Sequence, residues 1–119
     1  MKENVLKDKS FAFAVRVFKL AQYLCSEKNE LIMSKQLLRS GTSIGALYRE
    51  AEHAESKADF VHKLAIAQKE CNETLYWLEL LYETGYLSRN MQDSIYKDGV
   101  EVLKLLTAII KTTKSKMRN

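Results

Sequence analysis

Hydrophobic positions recur at three- and four-residue intervals along nearly the whole chain, and no stretch alternates with period two. That pattern predicts amphipathic helices and no strands. The first helix is expected over about residues 10–28. Phe11, Ala14, Val15, Phe18, Ala21 and Cys25 form one stripe, and Phe13, Val17, Leu20 and Leu24 form another beside it. Only the side carrying Arg16, Lys19 and Tyr23 is clearly polar. The apolar arc is wider than a surface helix of a monomeric bundle requires, which predicts self-association.

After a turn at Lys28-Asn29-Glu30, a second helix is expected over about 33–54. Its seam of Leu37, Gly41, Ile44, Tyr48 and Ala51 has 4-3-4-3 spacing, the pattern of packed bundle helices. Ser56 and Asp59 read as a capping box: the serine hydroxyl accepts from the Asp59 amide and the carboxylate reaches back. They open a third helix, about 57–84, striped by Phe60, Leu64, Ala67, Cys71, Leu75, Leu78 and Tyr82, with Trp77 and Leu81 widening it. Thr84-Gly85-Tyr86-Leu87 reads as a glycine C-cap. Ser88 or Asn90 then caps a fourth helix, about 90–114, striped by Met91, Ile95, Gly99, Val102, Leu106 and Ile109. Short loops make neighbouring helices antiparallel, so the expected fold is all-α: an up-down-up-down antiparallel four-helix bundle forming one domain over residues 1–119.

Composition supports this picture. The 119-residue chain is 46% hydrophobic, lacks proline and has 4 glycines, so long helices meet little opposition. No stretch approaches the ~20 apolar residues of a membrane span, and MKENVLKDKS carries no apolar signal-peptide core. A cytoplasmic protein with no membrane partner is the expectation. Cys25 and Cys71 are the two cysteines, and both fall on apolar-periodic positions, where buried reduced thiols are expected.

Gly41 and Gly45 lie four apart inside a helix, where each costs about 1 kcal/mol relative to alanine. Small residues at this spacing let two helix backbones approach closely. Gly41, Ile44 and Gly45, with Phe13 and Val17 on the first helix, are therefore expected at a packing surface within the bundle or between subunits. A tolerated glycine near a kink is the competing reading.

Glu50-x-x-His53 and Asp59-x-x-His62 superficially resemble the inward-facing carboxylate and histidine ligands of di-iron bundles. The first helix, however, has no acidic residue between Ser10 and Ser26, and both histidines lie close to a loop. A solvated face and a helix cap account better for these residues, leaving a metal-dependent carboxylate-bundle enzyme as the remote alternative. No cofactor or metal is expected. There is also no phosphate-cradling glycine loop and no G-x-S-x-G, so a non-enzymatic protein is expected.

Charge is unevenly distributed. Residues 1–29 carry six Lys/Arg against three Asp/Glu, residues 30–87 six against nine, and residues 88–119 seven against three. In an up-down-up-down bundle the two basic ends meet, bringing Lys2, Lys7 and Lys9 towards Lys111, Lys114, Lys116 and Arg118, a candidate phosphate-binding patch. The acidic turn with Glu50, Glu52, Glu55 and Asp59 lies at that same end and offsets part of the charge.

The blocks Q-L-L-R-S-G-T-S-I-G, R-E-A, S-K-A-D-F and E-T-x-Y-W-L-E-L-L-Y-E-T-G-Y-L, within residues 35–87, resemble the bacterial four helix bundle protein family, also called the ribosomal-RNA intervening-sequence protein family. Where that family typically continues S-I-G-A-N and an aliphatic residue, this chain has Leu47 and Tyr48, so any polar role of the asparagine is not carried over. The resemblance implies a cyclic homo-oligomer, with a pentamer as the expected form. It also implies similarity to accessory proteins of diversity-generating retroelements, basic pentamers that associate with nucleic acid and a reverse transcriptase. The expected function is a scaffold or accessory module that binds nucleic acid, RNA or DNA, or a nucleic-acid enzyme. Candidate phosphate contacts are Arg16, Lys19, Arg39, Lys111 and Lys114. The alternative is an assembly that binds only protein partners, without nucleic-acid affinity.

Overall fold

In the computed structural model, which describes residues 1–118, four helices account for most of the chain: α1 (Lys2–Lys28), α2 (Met33–Ala51), α3 (Lys57–Glu83) and α4 (Arg89–Met117). α1 packs on α2 and α4, and α3 packs on α2 and α4, whereas the diagonal pairs do not approach. Each helix is therefore antiparallel to both neighbours, in the up-down-up-down order that short loops impose. The bundle measures 51 × 22 × 19 Å.

The periodicity is realised as a core of one line of side chains per helix. On α1 this line is Leu6, Ser10, Phe13, Val17, Leu20 and Leu24, all buried at 4-3-4-3-4 spacing. α1 thus begins eight residues earlier than the apolar stripes suggested. Nothing in Lys2–Lys9 breaks a helix, and Leu6, fully buried, gives that extra length a core contact. On α2 the expected seam of Leu37, Gly41, Ile44, Tyr48 and Ala51 is buried throughout. On α3 the buried line runs through Leu64, Ala67, Cys71, Leu75 and Leu78, and on α4 through Ile95, Gly99, Val102, Leu106 and Ile109. Burial of this many aliphatic side chains, at about 1.5–3 kcal/mol each, is what holds the bundle together.

The helix ends explain the short connections. α1 ends on Asn29 in the left-handed region (φ 52°), with the Glu30 amide donating to the Leu24 carbonyl at 2.9 Å. Glu30 is itself buried, and its carboxylate accepts from the amides of Ile32, Met33 and Ser34 at 3.3, 3.1 and 2.8 Å. It thereby satisfies three free donors at the positive end of the α2 dipole. α2 stops at Ala51, three residues short of the expected end. The amides of His53 and Ala54 bond three residues back, to Glu50 and Ala51, tightening the chain before it reverses.

Ser56 caps α3 by accepting from the Asp59 amide at 3.0 Å, while the Asp59 carboxylate reaches back to the Glu55 amide at 3.2 Å. α3 ends in a Schellman turn: Gly85 has φ 87°, its amide donates to Tyr82, and the Tyr86 amide donates to Leu81 at 2.9 Å. Of the two candidate caps for α4, Ser88 is the one used, accepting from the Met91 amide at 3.2 Å.

Candidate functional site

The two apolar stripes of α1 have different fates. The inner one enters the core, whereas Phe11, Val15 and Phe18 of the outer one are 58%, 38% and 48% exposed. These three continue at 4-3 spacing through Gln22 to Cys25. The spacing is that of a second packing seam. Beside it, Phe18, Ala21 and Cys25 of α1 with Leu31 of the α1–α2 connection and Lys35 and Leu38 of α2 line a shallow groove of about 450 Å³. At the other end of the stripe the Arg49 guanidinium lies 5.7 Å from the centre of the Phe11 ring, a cation–π contact over an otherwise open face.

Cys25 corrects an expectation. It is an exposed free thiol, with Sγ 3.3 Å from Ser34 Oγ, because it belongs to the outer seam and not to the core line ending at Leu24. Cys71 is buried as expected. Its Sγ donates to the Gly99 carbonyl at 3.4 Å, and burial pushes its pKa up to about 12, which keeps it a thiol.

The glycines of α2 face α1 of the same bundle. A Cβ at Gly41 would lie 2.7 Å from Val17 Cγ1, and one at Gly45 would lie 3.4 Å from Ser10 Oγ. Phe13 performs the same function against α4, where a Cβ at Gly99 would come within 3.1 Å of Phe13 Cζ and 2.7 Å of Leu75 Cδ2. Ile44 is fully buried between them. On the adjacent side of α2, Thr74 donates to Ser40 at 2.9 Å in a buried α2–α3 contact.

The five candidate phosphate contacts do not form one patch. Arg16 bonds Asp98 at 2.6 Å and the Ser94 hydroxyl at 2.9 Å, clamping α1 to α4. Arg39 bridges Glu70 and Glu73 on α3, and Trp77 Nε1 donates to Glu73 at 3.1 Å. The hydrogen bond it donates to Glu73 is the main cause raising the Arg39 pKa, while the bond from Trp77, followed by the one from Arg39, lowers the Glu73 pKa. Both arginines are thus bound up in the bundle's own ion pairs. Lys19, Lys111 and Lys114 take part in no ion pair among the described residues.

At the end where the termini meet, Lys7 pairs with Glu52 and Lys9 with Glu101, each at 3.3 Å. The cleft of about 560 Å³ there has both signs on its walls, with Glu3 and Glu52 opposite Lys57 and Lys116. A purely basic end does not form, because the α2–α3 turn supplies counter-charge. Glu50 pairs with Lys63 at 3.0 Å and Asp59 serves as a cap, while His53 and His62 are exposed. Among the described residues no group of three or more His, Cys, Asp or Glu side chains could hold a metal. No described helix is long and apolar enough to cross a membrane.

Lys97 and Lys104 are two further cations of α4. They share the outer face of α4 with Lys111 at seven-residue steps and are exposed. The heptad interval between these three lysines is the signal that could have found them.

Residues 2–108 match the family model described as 23S rRNA-intervening sequence protein. The chain is 59% identical to a solved protein of unknown function from the S23 ribosomal protein family of Bacteroides thetaiotaomicron. That match covers 93% of this chain and 99% of the other, with a TM-score of 0.92. No curated protein matches.

Proposed function

The chain belongs to the 23S rRNA-intervening sequence protein family, and from that membership and its unpartnered apolar seam we propose that it is a self-assembling, non-enzymatic helical scaffold. The observation that carries this reading is the row Phe11, Val15 and Phe18, exposed at packing spacing on a helix whose inner seam is already filled. Exposing such a row costs free energy that association recovers. The adjoining α1/α2 groove, different in shape from the convex row, suits a heterologous contact in which each copy covers the next. Contacts of that kind close when the copies form a ring, and a homo-pentamer is the form expected from the resemblance.

Support for a non-enzymatic role comes from how the reactive groups are occupied. Glu50 and Asp59 serve an ion pair and a cap, and Cys71 is held protonated in the core. As a scaffold, the chain acts as an accessory module for nucleic acid or for an enzyme working on it, a reading supported by the uncompensated lysines of α4. A purely protein-binding assembly would lack that affinity.

Light scattering on the purified protein tests self-assembly. The wild type is expected to have a mass several times that of one chain. Phe11→Ser with Phe18→Ser should reduce it to a single chain without loss of helical circular dichroism, since neither ring is in the core. A monomeric wild type would overturn the scaffold reading.

A further inference from the structure

In a four-helix ring the α1/α2 face and the α3/α4 face lie on opposite sides of the bundle. The first is the apolar face described above, and the second has a different character. Along α4, Lys97, Lys104 and Lys111 are exposed at seven-residue steps, with Lys114 one turn further on. Seven residues return to nearly the same side of a helix and advance about 10 Å, so the column extends roughly 25 Å. Lys69, exposed on α3, adds a fifth cation.

None of these five lysines is in an ion pair among the described residues. Three of the acids near it have partners of their own. Asp93 lies 3.9 Å from Arg89, Glu101 pairs with Lys9, and Glu79 accepts from the Tyr96 hydroxyl at 2.9 Å. No carboxylate is within pairing distance of the column's ammonium groups among the described residues, which leaves them open to an external anion.

An aromatic ring accompanies the column. Tyr76 of α3 is 56% exposed. It lies in the chain between Gln68, which donates to Thr107 at 2.9 Å, and Glu79, which bonds Tyr96. These two α3–α4 links fix the antiparallel register and set Tyr76 level with the stretch of α4 between Lys97 and Lys104.

We propose that the α3/α4 face binds a single strand of nucleic acid, its phosphates following Lys97, Lys104, Lys111 and Lys114 and a base stacking on Tyr76. This deepens the accessory-module reading and rests on it. A linear column of free cations matches a linear polyanion, and a ring beside it matches an unpaired base. An anionic membrane surface fits less well, since a membrane-surface helix needs a broad apolar face beside its lysines. On α4 that face, with Ile95, Val102, Leu106 and Ile109, is buried in the core. The face also remains free when the opposite, apolar side is covered by another copy.

Fluorescence anisotropy with a short labelled single strand (RNA and DNA separately), the matching duplex and anionic vesicles, each titrated over a range of salt, tests the proposal. The wild type should bind the single strand with a steep salt dependence. Each lost phosphate contact lowers the slope of log K against log salt by about 0.7, so Lys97→Gln/Lys104→Gln/Lys111→Gln should lower it by about 2. Lys28→Gln/Lys57→Gln/Lys63→Gln, with the same change of net charge, should leave it nearly unaltered. Tyr76→Ala should weaken binding roughly tenfold to a hundredfold with the slope unchanged.

Undiminished binding by the α4 triple variant would overturn this face and leave the accessory-module reading standing. Absence of binding to any nucleic acid, or binding to vesicles alone, would overturn this face together with the nucleic-acid limb of the accessory-module reading. Equal binding of the duplex, with no effect of Tyr76→Ala, would overturn the single-strand assignment.

Discussion

Gly41 packs so closely on Val17 that a methyl group added to the glycine would lie 2.7 Å from Cγ1 and 2.8 Å from Cγ2 of the valine. Val17 is fully buried and β-branched, so it has little rotamer freedom with which to withdraw. Gly41→Ala is therefore expected to destabilise by about 1–3 kcal/mol, the cost of overpacking outweighing the ~1 kcal/mol helix-propensity gain. At Gly45 the nearest atom, Ser10 Oγ, is 3.4 Å away. Gly45→Ala should thus be neutral or stabilise by up to about 1 kcal/mol. Urea unfolding of the two variants checks the contrast. Equal effects would refute the assignment of close packing to Gly41 alone, and Val17→Ala should rescue Gly41→Ala but do nothing for Gly45→Ala.

Leu6 makes the first turns of α1 part of the core. Leu6→Ala should cost about 2–5 kcal/mol, as for other fully buried leucines. Val5→Ala, next to it but 40% exposed, should cost well under half as much. Guanidinium unfolding of both would show whether the helix before Ser10 is docked or frayed; similar small effects would mean that it is frayed.

Glu30 is expected to matter more than its place in a loop suggests. Removing its carboxylate leaves the amides of Ile32, Met33 and Ser34 without their acceptor. Glu30→Ala should cost about 1–3 kcal/mol, and Glu30→Gln, which keeps one acceptor oxygen, should cost less. Thermal melts of the two variants give the order, and equal losses would argue against a capping role.

The Arg39–Glu73–Trp77 contact should make stability depend on pH on the acid side. The Glu73 pKa is lowered in the folded chain by hydrogen bonds from Trp77 and Arg39. A lowered carboxyl pKa contributes stability that is complete above the unfolded value and is lost as pH falls through the folded one. The pair is partly exposed, so its contribution is about 0.2–1 kcal/mol. Glu73→Gln should therefore be less stable than wild type at neutral pH, with the gap closing well below pH 4.5, the ordinary carboxyl value for this residue. Urea midpoints at neutral and strongly acidic pH measure this, and a gap that stays constant would rule out the ionic contribution.

Four helices, their antiparallel order and most of the core are legible in the sequence. Those features follow from local periodicity and short loops, as in Leu37-Gly41-Ile44-Tyr48-Ala51, where spacing alone selects one face. The caps at Ser56 and Gly85, and Ser88 as one of two candidates, were legible for the same reason, since each acts on atoms within a few residues. Which of α1's two stripes turns inward was decided only by the tertiary structure. Phe11, Val15 and Phe18 are as apolar as Phe13, Val17 and Leu20, and only the positions of α2 and α4 decide between the two lines. The same holds for Cys25, which shares the outer line, and for Leu6, whose burial depends on helices far away in sequence. Charge was the least legible feature. Arg16 and Arg39 resemble free cations until Asp98, Glu70 and Glu73 are brought beside them, because an ion pair between helices depends on distances that no local spacing encodes.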